Sequence, residues 1–197
     1  MAAAGQPGFG YFDAQFQLPA VKLLPGEYLA TRAPQLLVTV LGSCVAACLR
    51  DRKTGISGMN HFMLPEGAPT GDQGPVTRFG MFAMERLIND MLKLGASREG
   101  LEAKVFGGGN VLHGMKIVNI GAQNGNFVLD YLANERIPVL AEDLLGEHAR
   151  KVYFFTDTGK VMIRRLKSER LPTVAREEAR YRDTVEHSGS GDVELFD

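Results

Sequence analysis

At 197 residues, with 45% hydrophobic and 23% charged side chains, the chain has the size and balance of a single soluble globular domain with a real core. Lysine plus arginine is 22 and aspartate plus glutamate 23, so the net charge is −1, without the electrostatic footprint of a nucleic-acid or anionic-membrane binder. Met1 to Gly8 lacks the basic and apolar regions of a secretory leader, and no apolar run approaches the ~20 residues of a membrane span. Two cysteines in such a chain imply free thiols in a reducing, cytoplasmic setting, and the expected state is a monomer.

In chain order, residues 1–19, rich in Gly, Ala, Gln and Phe, read as a flexible arm. Ala20–Leu24 and Glu27–Thr31 read as short strands split by Pro25-Gly26. Leu36–Leu49 is an apolar, β-branched run interrupted by Gly42-Ser43-Cys44. Asp51–Gly55 reads as a turn, and Ile56–Leu64 as the returning strand. Pro65–Pro75 holds three prolines and three glycines and is expected to be a surface loop at the rim of a cleft. Arg78–Leu94 is the clearest helix: Met84, Leu87, Ile88 and Met91 share one face, and Gly95 stands where a terminating glycine belongs. The methionines there are expected in the core, not in a partner groove.

Ala103–Phe106 is a strand running into Gly107-Gly-Gly-Asn110. This run lacks the spacing of a dinucleotide or Walker loop, so it reads as a tight transition permitting close backbone approach. Gln123–Asn134 is a second amphipathic helix, Ile137–Ala141 a strand, and Lys151–Thr156 with Lys160–Arg165 a hairpin around Asp157-Thr-Gly159. From Ser168 onward mixed charges give way to Ser188-Gly-Ser-Gly, and residues 168–197 read as a charged, disordered tail, helical at most in part. Val193, Leu195 and Phe196 near its end are candidates to dock on a sheet edge or groove. The order of elements gives an α+β fold: a layered sandwich of hairpin-rich mixed sheet with two main helices packed on it, over residues 20–167.

Chemistry concentrates in the first hairpin. A turn centred between Arg52 and Lys53 makes Cys44 and His61 cross-strand neighbours, with Cβ atoms roughly 4.5–5.5 Å apart. A bulge at Gly55 would shift this register by a residue or two. A thiol beside an imidazole is the start of a cysteine-hydrolase site, because an imidazolium stabilises the thiolate. Small Gly42 and Ser43 before Cys44 leave room for a substrate and for backbone N–H groups at the sulfur. Cys48 reads as a buried structural thiol, and a Cys44–Cys48 disulfide is rejected, since strand positions four apart lie about 13 Å from each other. No zinc spacing is present, and no metal or organic cofactor is expected. His113, His148 and His187 lack a comparable partner, and Ser43 is not in a G-x-S-x-G elbow.

Thr39-Val-Leu-Gly-Ser-Cys-Val-Ala-Ala-Cys-Leu49, Gly58-Met-Asn-His-Phe-Met-Leu-Pro65, Leu101–Asn110 and Lys151–Phe155 together resemble the bacterial chemotaxis family CheD, the chemoreceptor glutamine deamidases. The resemblance covers most of residues 20–167. It implies a catalytic set of Cys44, His61 and Thr39, with Thr39 orienting the histidine; by position in the sequence Thr31 is a less well-placed competitor for that role. It also implies hydrolysis of receptor glutamine amides through a thioester, with release of ammonia. Implied partners are the cytoplasmic domains of methyl-accepting chemoreceptors and a CheC-type phosphatase. The competing reading is a binding module that engages receptor or such a phosphatase without using its thiol. A papain-like protease fits less well, because no Asn or Asp orienter accompanies Cys44 and His61.

Overall fold

The computed structural model describes residues 9–64, 75–110, 120–166 and 171–188. Two five-stranded mixed sheets are built from alternating parts of the chain. The first has the order β1 (Phe9–Asp13), β2 (Leu18–Lys22), β4 (Leu36–Leu41), β9 (Arg150–Phe155), β10 (Val161–Arg165). The second runs β3 (Tyr28–Thr31), β6 (Ser57–Asn60), β5 (Val45–Asp51), β7 (Leu101–Gly107), β8 (Val139–Leu144). Among the described residues three α-helices complete the fold: α1 (Pro75–Lys93), α2 (Ile120–Asn134) and α3 (Leu171–Ser188). The α+β sandwich expected from the sequence is therefore present, its strands divided between two sheets.

β5 shows why the layers form. Its apolar residues run without a polar interruption from Val45 to Leu49, the pattern of a strand covered on both faces. Val45, Ala47 and Leu49 pack with Met84, Leu87, Ile88 and Met91 of α1 and with Val128 and Leu132 of α2. Ala46 and Cys48 point the other way, into a core shared with Leu37, Leu41, Val152 and Phe154 of the first sheet. The methionine stripe of α1 is core, and Gly95, at φ 101°, closes that helix with its N–H on Leu92 O while Ala96 N–H reaches Met91 O.

The hairpin register differs from expectation by two residues. Cys48 faces Met59, Leu49 faces Gly58, and Val45 bridges Phe62. The reason is the turn: Asp51 N–H bonds Ile56 O at 2.8 Å, enclosing a four-residue loop in which Gly55 takes φ 75°. An even shift leaves every side chain on the same face, so Cys44 and His61 remain neighbours, diagonally instead of directly. β4 and β5 are also not one hairpin arm. The chain leaves the first sheet after Leu41 and enters the second at Val45, so Gly42-Ser43-Cys44 is the crossing between layers.

Both ends carry more structure than their composition indicated. Phe9–Asp13 pairs antiparallel with β2, and the Phe16 ring meets those of Tyr153 and Phe155 edge-on, each with centroids 5.2 Å apart. Residues 9–19 are thus sheet and turn, not a loose arm. Leu171–Ser188, read as part of a disordered tail helical at most in part, is an 18-residue helix. Its mixed charges are Arg and Glu on a solvated face, and both are good helix formers. The proposed rim loop and the apolar end at Val193, Leu195 and Phe196 lie outside the described residues.

Candidate functional site

The crossing Gly42-Ser43-Cys44 is held from behind by all three of its carbonyls. Gly109 N–H donates to Gly42 O at 2.7 Å, and Gly108 N–H to Cys44 O at 2.8 Å. The Asn124 side-chain amide on α2 donates to Ser43 O at 2.8 Å and accepts from Leu64 N–H at 2.8 Å. The glycine run is needed for this approach: a Cβ on Gly107, which has φ 114°, would lie 2.1 Å from Cys44 O. With the carbonyls tied on one side, the three N–H groups turn to the other and form an anion-binding concavity.

That concavity is filled by Glu178 of α3. One carboxylate oxygen accepts from Gly42 N–H at 2.8 Å and from Cys44 N–H at 3.0 Å. The other accepts from Ser43 N–H at 2.9 Å and from the Ser43 hydroxyl at 2.7 Å. A glutamate side chain, 5% exposed, is thereby fully hydrogen-bonded against the thiol-bearing loop.

His61 completes the arrangement. Its backbone is pinned by Gly26 N–H on His61 O at 2.7 Å and by its own N–H on Glu27 O at 2.9 Å. Thr39 Oγ1 donates to Leu23 O at 2.8 Å and lies 2.7 Å from His61 Nδ1. A carbonyl only accepts, so the threonine proton goes to Leu23 and Nδ1–H donates to Thr39. Nε2 therefore carries the lone pair; it is buried and has no hydrogen-bond partner among the described residues. The Cys44 sulfur, a His61 ring nitrogen and a Glu178 oxygen lie within 4.8 Å of one another.

Burial pushes the Cys44 thiol well above its ordinary range, and the adjacent Glu178 carboxylate, which repels a thiolate and accepts from the S–H, pushes it further. Burial also depresses His61, to about 4, against the opposing pull of Glu178. In this arrangement the pair is neutral thiol and neutral imidazole, not the thiolate–imidazolium pair expected from adjacency alone. Cys44, His61 and Glu178 also make a set that could hold a metal ion. Both Glu178 oxygens are already committed to the loop, two hydrogen bonds each, so coordination would have to break that seat.

Among known proteins, a family model described as CheD chemotactic sensory transduction matches residues 63–165. A probable chemoreceptor glutamine deamidase CheD 2 from Chromobacterium violaceum is 55% identical, covering 98% of both chains. Similar proteins named probable chemoreceptor glutamine deamidase CheD occur in Shewanella oneidensis (CheD 1; 54% identical, 94% of this chain and 92% of that one) and Thiobacillus denitrificans (53% identical, 94% of each). The chain belongs to the CheD family. The family model begins beyond Thr39, Cys44 and His61, whereas the match to the Chromobacterium CheD spans nearly the full length.

In this CheD chain, Thr39, Cys44 and His61 come together, and Gly42 and Ser43 contribute N–H groups to the same concavity. Thr31 does not join them; it lies on β3 opposite Ser57, and its hydroxyl accepts from Ala33 N–H. His148 is exposed, His113 is outside the described residues, and the His187 side chain is likewise not described. Asn124 and Glu178 were not singled out from sequence. The signal for Glu178 was the spacing of Val174, Glu178 and Tyr181, which puts a glutamate in the middle of an otherwise apolar helical stripe.

Proposed function

We propose that this chain is a cysteine amidohydrolase that converts glutamine side chains of chemoreceptor cytoplasmic domains to glutamate. The observation that carries the reading is that the concavity beside Cys44 already accommodates a glutamate side chain, that of Glu178, through its terminal carboxylate. The names of its CheD relatives support the same substrate.

The residues support a two-step acyl transfer once the concavity is vacated. His61 Nε2 takes the Cys44 proton, and the sulfur bonds to the amide carbon. The developing oxyanion receives the N–H groups of Gly42 and Cys44, and one such donor is worth roughly 10²–10³ in rate. Imidazolium then protonates the nitrogen, the C–N bond breaks and ammonia leaves. His61 next deprotonates a water that attacks the thioester, releasing glutamate and restoring the thiol. Thr39 keeps Nδ1 protonated, which leaves Nε2 free for each transfer. The setting is the cytoplasm, where receptor helices are reached by a monomer, and a CheC-type phosphatase would dock on the same face. Among the described residues no helix is long and apolar enough to cross a membrane.

Intact-mass measurement of a purified receptor cytoplasmic fragment tests this. Each converted glutamine adds about 1 Da, and Cys44→Ala should leave the mass unchanged. Binding of the fragment with no mass change by any version of the chain would favour the non-catalytic module.

A further inference from the structure

We propose that α3 is a built-in product mimic, holding Glu178 where a newly formed receptor glutamate would sit, so that the substrate helix must displace the chain's own helix to react. The inference rests on the deamidase reading and adds what occupies the groove at rest. Its geometric basis is the seat of Glu178. Three loop N–H groups and the Ser43 hydroxyl hold the carboxylate beside the thiol and the unpaired side of His61.

Three features distinguish this from ordinary packing of a terminal helix. First, the group in the concavity has the atoms of the reaction product and is presented from a helix. Second, the hold is narrow. Val174 packs with Ala149, Val40 and Leu166, Tyr181 lies over Gly26 and against the core that holds Cys44, and the outer face carries exposed Thr173, Arg176, Glu177 and Arg180. An element whose described apolar contacts come from two side chains, Val174 and Tyr181, opens at lower cost than the sheets it covers. Third, the seat prefers carboxylate over amide. The oxygen facing Ser43 N–H accepts a hydrogen bond that an amide NH₂ in its place cannot, so glutamate holds where glutamine would be loosened or consumed.

Tethering makes weak attachment sufficient. A segment on a short connection acts at an effective concentration in the millimolar range, which an incoming helix has to exceed. A protein substrate that presents its glutamine on a docking helix can meet that condition, whereas a lone dilute amide would not, and the thiol stays shielded from adventitious reaction until then.

The test uses the full-length chain in native, Glu178→Ala and Glu178→Gln forms, with melting temperature checked for each. In the native chain iodoacetamide should label Cys44 no faster than Cys48. In Glu178→Ala, labelling of Cys44 should rise at least about tenfold, as the carboxylate no longer blocks and repels the thiolate. Turnover of the receptor fragment should rise in kcat/KM, through a lower KM. The Glu178→Gln chain should act on itself, gaining about 1 Da, or losing about 17 Da where the thioester persists, and Cys44→Ala should prevent both. If its glutamine instead leaves the loop, Cys44 should label as fast as in Glu178→Ala. Unchanged labelling and unchanged KM in a folded Glu178→Ala chain would overturn the proposal. So would loss of activity in that variant, which would place Glu178 in the reaction, or a Glu178→Gln chain that neither converts nor exposes its thiol. Faster labelling without receptor turnover by any form would retain the mimic and reject the receptor substrate.

Discussion

Thr39 Oγ1 lies 2.7 Å from His61 Nδ1 and gives its own proton to Leu23 O, so a neutral hydroxyl fixes the tautomer of the ring. A carboxylate in that place would stabilise imidazolium; a hydroxyl supplies direction without charge. This matches a histidine depressed to about 4 by burial.

Thr39→Ala should leave Nδ1–H and Leu23 O without their shared partner in a buried site. The stability loss should be about 1–3 kcal/mol, and turnover should fall roughly a hundredfold through misorientation of the ring. Cys44→Ala and His61→Ala should lose nearly all turnover, because they act as a unit. Thr39→Ser, which restores the hydroxyl, should recover most of both losses. Equal activity of Thr39→Ala and the native chain would remove Thr39 from the site.

Acidification should destabilise the fold through His61. Its folded value, about 4, lies below the ~6.5 of a free imidazole, so on lowering the pH the unfolded chain binds the extra proton first. The stability tied to this residue is fully present above pH ~6.5 and is lost progressively toward pH 4. Urea unfolding at pH 5 should find the native chain about 2 kcal/mol weaker, relative to pH 7.5, than the same comparison for His61→Asn. Parallel pH curves for the two proteins would mean that the ring takes up its proton as readily in the fold as in the unfolded chain.

How far the sequence disclosed this site depended on the range of each interaction. The face shared by Cys44 and His61 was legible because strand periodicity fixes sides even when a turn is misjudged by two residues. α1 was legible because Met84, Leu87, Ile88 and Met91 repeat with the helix. Glu178 was not, since its partners Gly42 to Cys44 lie more than 130 positions away, and its place in the stripe of Val174 and Tyr181 shows a buried side but not what the acid meets there. The sheet crossing at Gly42 was hidden for a similar reason: only Gly42-Ser43-Cys44 separates two strand-like runs, Leu36–Leu41 and Val45–Leu49, so two strands in different layers read like one arm.

Glycine substitutions behind the loop should separate sharply. Gly107→Ala combines φ 114° with a Cβ 2.1 Å from Cys44 O, a backbone atom with nowhere to move. It should cost roughly 3 kcal/mol or more and abolish turnover. Gly109→Ala would place its Cβ 3.1 Å from Gly42 O and 3.2 Å from His148 O, tight contacts that shifts of a few tenths of an ångström would relieve. That variant should lose about 1 kcal/mol and retain measurable activity. Comparable melting temperatures for the two would show that the glycine run does not clamp the loop.

Asn124→Asp isolates the orientation of the loop from its packing. The native amide does two jobs at once, donating to Ser43 O and accepting from Leu64 N–H, each at 2.8 Å. An aspartate of the same shape keeps the acceptor toward Leu64 but presents an oxygen to Ser43 O, where two acceptors repel. Relief comes by rotating the Ser43–Cys44 peptide, which swings the Cys44 N–H away from the concavity that Gly42 and Ser43 N–H still define. The variant should therefore lose one oxyanion donor, and kcat on the receptor fragment should fall about 10²–10³-fold with KM little altered. Asn124→Ala leaves Ser43 O unpaired without opposing it, so its kcat should fall less. If the aspartate variant kept native kcat while melting lower, the amide would serve stability alone, and the direction of the Cys44 N–H would not depend on α2.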